Sequence, residues 1–319
     1  GCKPGETFFT TSDLGWVVGH SYGVYAPLIS GCTSVLVEGG ASASAIRTLC
    51  HEHEVTCLFT TPTQMRLMRQ ESRNQPEPVL PALTRIFVAG EYADPTLLDW
   101  ARSFFSKPVV NHWWQTETGW SITAHFFGLP ESEPVSLMDD IGRPAPGFRP
   151  TILPSVPSEQ CGEIVLSLPL PPGCLAGVWK DREVHVPTVY LDETGRYYRT
   201  FDEGMIDADR AVHMLGRSDD VIKVAGRRIS GVQIEKIIAS HPAVYACAVV
   251  AAPDALRGQR PVAYVVVNPG RECAPSSEEI IRQVNNVLGR WIGLKEVRFV
   301  QQLPTTVSGK ITRKRLLVS

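Results

Sequence analysis

The residues best suited to chemistry lie in Asn111–Trp120, NHWWQTETGW. Two adjacent indoles cannot share one face of a strand or helix. After them comes a run of short donors and acceptors, Gln115, Thr116, Glu117 and Thr118, closed by Gly119. Thr and Gly disfavour a helix interior, and the second half is too polar for a buried strand. The stretch reads as a loop that turns apolar walls and polar groups toward one ligand. It reads equally well as a surface turn whose tryptophans pack on the core.

Other candidates are scattered along the chain. Asp202 ends YYRTFD, where a carboxylate at a strand end suits a ribose diol. An ordinary turn aspartate is the alternative. Arg217 offers a guanidinium fork for phosphate or ribose oxygens, or else a solvated charge at a boundary. Gly226 allows close backbone approach beside Arg227 and Arg228, though the same three residues also suit a hairpin turn with exposed charges. Lys310 follows a Ser-Gly turn in TTVSGKITRKR, a mobile setting that suits neutralising a developing charge. A nucleic-acid patch is the competing reading, but it lacks interleaved aromatics. His51 and His53 would point to different faces of a helix, so they describe an exposed helix end rather than a metal site. His20 in GWVVGHSY is a further candidate.

Strands and helices alternate around these residues. Ser34–Val37 reads as a buried strand, Ala43–Glu52 as a helix, Thr56–Phe59 as a strand and Pro62–Gln70 as a helix. Arg85–Ala89 is a strand running into Gly90-Glu91. A helix over Thr96–Phe105 follows, and the strand Pro108–Val110 delivers the chain to the loop. The alternation predicts an α/β fold with a mainly parallel sheet, whose ligands bind beyond the carboxyl ends of strands. Both Gly90-Glu91 and the loop occupy such ends. From Asp140, dense Pro and Gly with short β segments (Gly162–Leu168, Val189–Leu191, Arg196–Thr200) predict a β subdomain closed by Val212–Gly216. Arg217–Asp220 is a charged break. A compact α+β pattern follows it, with strands at Val221–Val224, Tyr245–Ala251, Val262–Val267 and Val297–Val300. Helices are expected at Val232–Ser240 and after Ser276. The expected division is a large domain over 1–217 and a small one over 218–319.

The 319 residues carry 43% hydrophobic and 20% charged side chains and a net charge of −2, which gives no general attraction to nucleic acid or membrane. No run is long enough to span a bilayer, and no signal-peptide pattern opens the chain. The eight cysteines form no C-x-x-C pair, so a reducing compartment is expected, cytosol or mitochondrial matrix.

Taken together, SDLGWVVGHSY (12–22), AGE (89–91), WWQTETG (113–119), YYRTFD (197–202), GRSDDVIKVAGRRISGVQIE (216–235) and SGKITR (308–313) resemble the AMP-forming acyl-CoA synthetases, most closely their acetyl- and propionyl-CoA synthetase branch. Six motifs in the family's order span nearly the whole chain. The resemblance implies a large adenylate-forming domain and a small mobile one. It also implies a ligase that joins a short-chain carboxylic acid to ATP and then passes the acyl group to CoA. On that resemblance Gly90, Glu91 and the backbone at Asn111 and His112 would frame adenine, with Trp113 and Gln115 in the same nucleotide site. Thr116 would meet the α-phosphate, and Glu117 would hold Mg²⁺. Asp202 and Arg217 would grip ribose and phosphate, and Arg228 would approach the phosphates in the second step. Lys310 would orient carboxylate and α-phosphate. Gly226 and Arg227 would meet CoA, and Asp219 would be the hinge. Val17, Val18, Ala89 and Trp114 would line the acyl pocket, with Trp114 as its floor. Acetate-type relatives carry Val where this chain has Ala89, so propionate is expected over acetate.

Three departures accompany the likeness. The family's phosphate loop would lie upstream of Gly1, which predicts a C-terminal fragment that cannot complete adenylation. Arg227 stands where His is usual, and Asn111 where Asp is common. An adenylation domain serving a carrier protein and a non-catalytic nucleotide-binding remnant are the alternatives. Oligomeric state is not expressed in the sequence.

Overall fold

The computed structural model describes residues 2–39, 42–72, 79–91, 93, 95–127, 141–154, 161–177, 191–268, 274–305 and 311–316. They form two compact units, Gly1–Thr200 with Gly204–Met214, and Phe201–Glu203 with Leu215–Ser319. Lys310 lies outside the described residues, as do the first two residues of the strand read at Val189–Leu191 and the side chains of Asp219 and Arg228.

The first unit begins with β1 (Thr7–Thr10), α1 (Val17–His20), a π-helical turn (Ser21–Tyr25), α2 (Ala26–Ile29) and β2 (Thr33–Val35). It continues through α3 (Ala43–Glu52), β3 (Cys57–Thr60), α4 (Pro62–Glu71), β4 (Arg85–Val88), α5 (Pro95–Phe105) and β5 (Val109–Asn111). The five strands pair in parallel in the order β2-β1-β3-β4-β5. Helix starts follow local chemistry. The Ser42 hydroxyl accepts from the Ala45 N–H at the head of α3, and Thr61 accepts from Gln64 with Pro62 in the first turn of α4. Strand alternation sends Phe9, Leu58, Ile86 and Val109 into a core with Ile46, Met65 and Leu97, while Phe8, Cys57 and Phe59 face the other side. Each such large side chain contributes about 1.5–3 kcal/mol by leaving water.

The segment expected to be a buried strand at Ser34–Val37 is instead the edge strand β2. Ser34 and Val35 are only half-buried, and Leu36 beyond it is 54% exposed. Among the described residues β2 pairs with β1 alone, and a short apolar run does not reveal whether a second neighbour covers it.

Antiparallel pairing follows. A two-stranded ribbon joins β6 (Thr123–Ala124) to β7 (Arg143–Pro144). A four-stranded sheet runs in the order β11-β10-β9-β8, from β8 (Pro150–Pro154), β9 (Gly162–Ser167), β10 (Tyr197–Ile206) and β11 (Val212–Arg217). Its core holds Ile122, Phe148, Ile164, Leu166, Tyr198 and Val212, together with Trp113 from the loop.

The second unit carries β12 (Val221–Val224), β13 (Arg227–Ser230), α6 (Gly231–Ala239), β14 (Val244–Asp254), β15 (Gly258–Val267), α7 (Ser277–Leu288) and β16 (Glu296–Phe299). The antiparallel order is β13-β12-β15-β14, with β16 parallel to β15. Cys247 and Val249 on β14 join Ile234, Ile238, Ile280 and Val284 of the helices. The alternate residues Ala248 and Val250 pack with Leu303 and Leu316 of the tail. The tail is tied down by a Thr305–Ile311 bridge and by Arg313. The Arg313 guanidinium donates to both Glu235 carboxylate oxygens at 2.8–3.2 Å and to Asp220 at 3.3 Å. Among the described residues no helix is long and apolar enough to cross a membrane.

Candidate functional site

In the first unit the site residues stand at the carboxyl ends of β4 and β5. Ala89-Gly90-Glu91 leaves β4, and Gly90 has φ +92°, a left-handed turn that a side chain would strain. A Cβ there would meet nothing within 4 Å, so the backbone faces open space. The Glu91 carboxylate is held by α4: Thr63 donates to it at 2.7 Å and Arg66 lies 3.6 Å away. Asn111 closes β5, and the His112 N–H continues the ladder to Val88 O at 3.2 Å.

The two indoles separate, as their adjacency requires. Trp113 bridges to Thr123 and enters the antiparallel core. Trp114 turns the other way and packs with Val18, Ala89, Phe8, Cys57 and Phe59. Three of the four expected acyl residues thus share one apolar cluster. Val17 is half-buried and outside it. Tyr22, which the sequence reading did not single out, packs against the same cluster. Its ring meets Trp114 edge-on at 5.9 Å, and its hydroxyl is 3.1 Å from Ser121 Oγ. The π-helical turn sets Tyr22 there, and no residue pattern announced that turn.

His112 is enclosed by Tyr22, Phe59 and Phe87, with ring centroids 5.2–6.2 Å away. Burial among these rings pushes its imidazole down to about 4, so it is neutral at physiological pH.

The polar half of the loop forms a 3₁₀ turn over Thr116–Thr118, capped reciprocally by Gln115 and Thr118 and ended by Gly119 at φ +70°. The Gln115 amide is used structurally: its Nε2 donates to Thr200 O at 2.7 Å, and its Oε1 accepts from the Tyr198 hydroxyl at 3.0 Å. Thr116 is exposed and Glu117 half-buried. The Glu117 carbonyl accepts from Leu175 N–H at 2.7 Å, which fixes the turn from outside. A hydroxyl and a carboxylate are thus carried on consecutive residues of a braced turn, and both offer the hard oxygen that suits Mg²⁺.

In the second unit Asp202 is buried, and Arg217 Nη1 reaches its Oδ1 at 3.4 Å. The same guanidinium lies 5.9 Å from the Phe201 ring. Phe201 has φ +56° inside β10, a strained setting for a bulky residue that kinks the strand just before Asp202. Ala225 and Gly226, at φ +49° and +81°, make a two-residue turn of the mirror-image kind between β12 and β13. Arg227 follows it and lies over the Trp291 ring at 5.2 Å. Trp291 was also missed, since its partner is distant in sequence. Asp219 lies in a 3₁₀ turn, Ser218–Asp220.

Two family models match in order along the chain: "AMP-binding enzyme" over residues 1–172 and "AMP-binding enzyme C-terminal domain" over 233–310. The chain belongs to the AMP-binding enzyme family. This chain is 41% identical, over 99% of its length and 48% of the relative's, to "Acyl-CoA synthetase short-chain family member 3, mitochondrial" of Mus musculus. It is 38% identical to "Propionate--CoA ligase" of Escherichia coli (strain K12), covering 99% of this chain and 52% of that one. It thus spans about half the length of these curated relatives. Among solved structures, a benzoate CoA ligase from Burkholderia xenovorans LB400 superposes with TM-score 0.82 at 25% identity, over 99% of this chain and 62% of that one. An acyl-CoA synthetase of Brucella canis matches with TM-score 0.63 at 30% identity, over 99% and 57%. The adenylate-forming α/β fold expected from the motifs is the fold observed.

Proposed function

We propose that this chain is part of an AMP-forming short-chain acyl-CoA synthetase: carboxylate, ATP and CoA give acyl-CoA, AMP and pyrophosphate through an acyl-adenylate. Propionate is preferred over acetate. The observation that carries this reading is the packing of Val18, Ala89 and Trp114 into one apolar cluster directly beside the Thr116–Glu117 turn. An acyl tail and a phosphate have to be held side by side in such a reaction, and adjacent residues of one loop provide for both. The names of the two relatives support the activity, and one of them names propionate.

In this reading Gly90, Glu91 and the Asn111–His112 backbone frame adenine, with the Glu91 carboxylate already held by Thr63. Trp113 and Gln115 fix the loop. Thr116 meets the α-phosphate and Glu117 would hold Mg²⁺, whose chemistry is to neutralise phosphate charge. Asp202 and Arg217 take the ribose, Lys310 orients the reacting carboxylate, and Arg228 acts in the thioester step. Gly226 and Arg227 meet CoA, and Asp219 is the hinge between the large and small domains. Ala89 sets the pocket depth: two fewer methyl groups than Val leave room for about one more carbon, worth ~1–3 kcal/mol of discrimination. Titration calorimetry with AMP and with non-hydrolysable propionyl- and acetyl-adenylates tests it. The propionyl compound should bind more tightly than the acetyl one and than AMP. Equal affinity for both acyl compounds would refute the pocket assignment, and no binding of any would refute the function.

A further inference from the structure

We propose that Cys2, Glu6 and Cys32 form a binding site for a soft divalent cation, Zn²⁺ or Cd²⁺, at the end of the parallel sheet opposite the candidate site. The two Sγ atoms and a Glu6 carboxylate oxygen all lie within 4.8 Å of one another. Tetrahedral zinc with Zn–S near 2.3 Å sets neighbouring ligands about 3.5–3.8 Å apart, so side-chain rotation closes the remaining gap.

The backbone carrying these groups is fixed. Glu6 immediately precedes β1 and Cys32 immediately precedes β2. Gly5 N–H donates to Gly31 O at 2.9 Å and Thr33 N–H to Glu6 O at 2.8 Å, which pins the two loops together. Cys32 is buried and its thiol donates to Lys3 O at 3.2 Å. Arg85, the first residue of β4, grips Glu6 through both carboxylate oxygens.

Charge fits as well. Two thiolates and one carboxylate around a divalent ion leave a net charge of −1, and Arg85 sits at that position with +1. Cys57 opens β3 beside them. Thiolate ligands select soft cations and leave Mg²⁺ to oxygen sites. Four-residue parallel strands, rising about 3.3 Å per residue, separate this cluster from the Ala89–Glu91 and Asn111 ends by roughly 13 Å.

The test is a Cd²⁺ titration of the reduced, metal-free chain, read by thiolate-to-cadmium charge-transfer absorption. One equivalent should bind, with excess Mg²⁺ unable to displace it. Cys2→Ser and Cys32→Ser should each weaken binding on the order of 100-fold or more, beyond the loss typical of an outer partner, and Glu6→Gln by less. Unchanged affinity in the Cys2→Ser/Cys32→Ser double variant overturns the site, as does the absence of stoichiometric binding. Should the serine variants fail to fold, cadmium protection against alkylation in the unmutated chain decides. Protection mapped to Cys2 and Cys32 supports the site, and protection of other cysteines alone refutes it. None of these readouts depends on nucleotide or acyl chemistry.

Discussion

Removing the Arg313 guanidinium should open the second unit locally, and the expected size follows from its contacts. Glu235 is buried and its carboxylate receives Arg313 at both oxygens, plus the Val249 N–H at 2.7 Å. Arg313→Met keeps most of the stem's volume but leaves that carboxylate buried without its counter-charge. Breaking one half of a buried pair costs about 3–5 kcal/mol. Glu235→Gln in the same chain removes the orphaned charge and retains an oxygen for Val249, so the double variant should lie only about 1–2 kcal/mol below the parent. Hydrogen exchange read by mass spectrometry suits a two-unit chain better than a global melt, because it resolves opening by segment. Amides of α6 and β14 should lose protection in Arg313→Met, regain most of it in the double variant, and those of β3 and β4 should not change. A double variant as unprotected as Arg313→Met would show that the lost guanidinium hydrogen bonds to Glu235 and Asp220, rather than an orphaned buried charge, cause the opening, and the electrostatic reasoning would fail.

Other expectations are more compact. Ala89→Val should shift the affinity ratio of propionyl- to acetyl-adenylate analogues by ~1–3 kcal/mol toward acetyl; an unchanged ratio in calorimetry counts against Ala89 as the depth residue. His112 has a folded value of about 4 against an unfolded value near 6.5, so the folded state holds fewer protons between them. Its contribution is complete above about pH 6.5 and is lost as pH falls toward 4, a loss of up to about 3 kcal/mol that His112→Gln should flatten in urea melts. Lys310→Gln, placed in a chain competent for both half-reactions, should abolish adenylate formation and spare thioester transfer from preformed adenylate; loss of both would refute the assigned role. Gly226→Ala should cost about 1 kcal/mol in stability through its positive φ, although the space for a Cβ is open.

Much of this was legible in residue order because strands, helices and turn residues obey local rules. Ala43–Glu52 has the helix bounds its spacing gave, and the capping serine at Ser276 accepts from Glu279 N–H as its sequence suggests. The separation of Trp113 from Trp114 follows from adjacency alone. What was not legible depends on partners distant in sequence. The Gln115 amide is engaged with Tyr198 and Thr200, contacts no local pattern encodes. Tyr22 and Trp291 gain their places through a π turn and a cation–π pair. The edge position of β2 depends on which strand lies beside it, a fact of topology that composition does not carry.

The π-helical turn at Ser21–Tyr25 has a consequence for how pocket size is inherited. An α-helix advances about 100° per residue, so the extra residue in a wide turn acts as a phase shifter between Val18 before it and Leu28 beyond it. Deleting Val24 would return the segment to ordinary winding and rotate Tyr22 relative to Val18 without altering any lining residue. In the proposed pocket of this chain, an insertion or deletion in that turn would act beside side-chain size. The deletion can be read directly as a changed Tyr22–Trp114 separation, and an unchanged one would show that Trp114 and Ser121, rather than winding, hold the tyrosine in place.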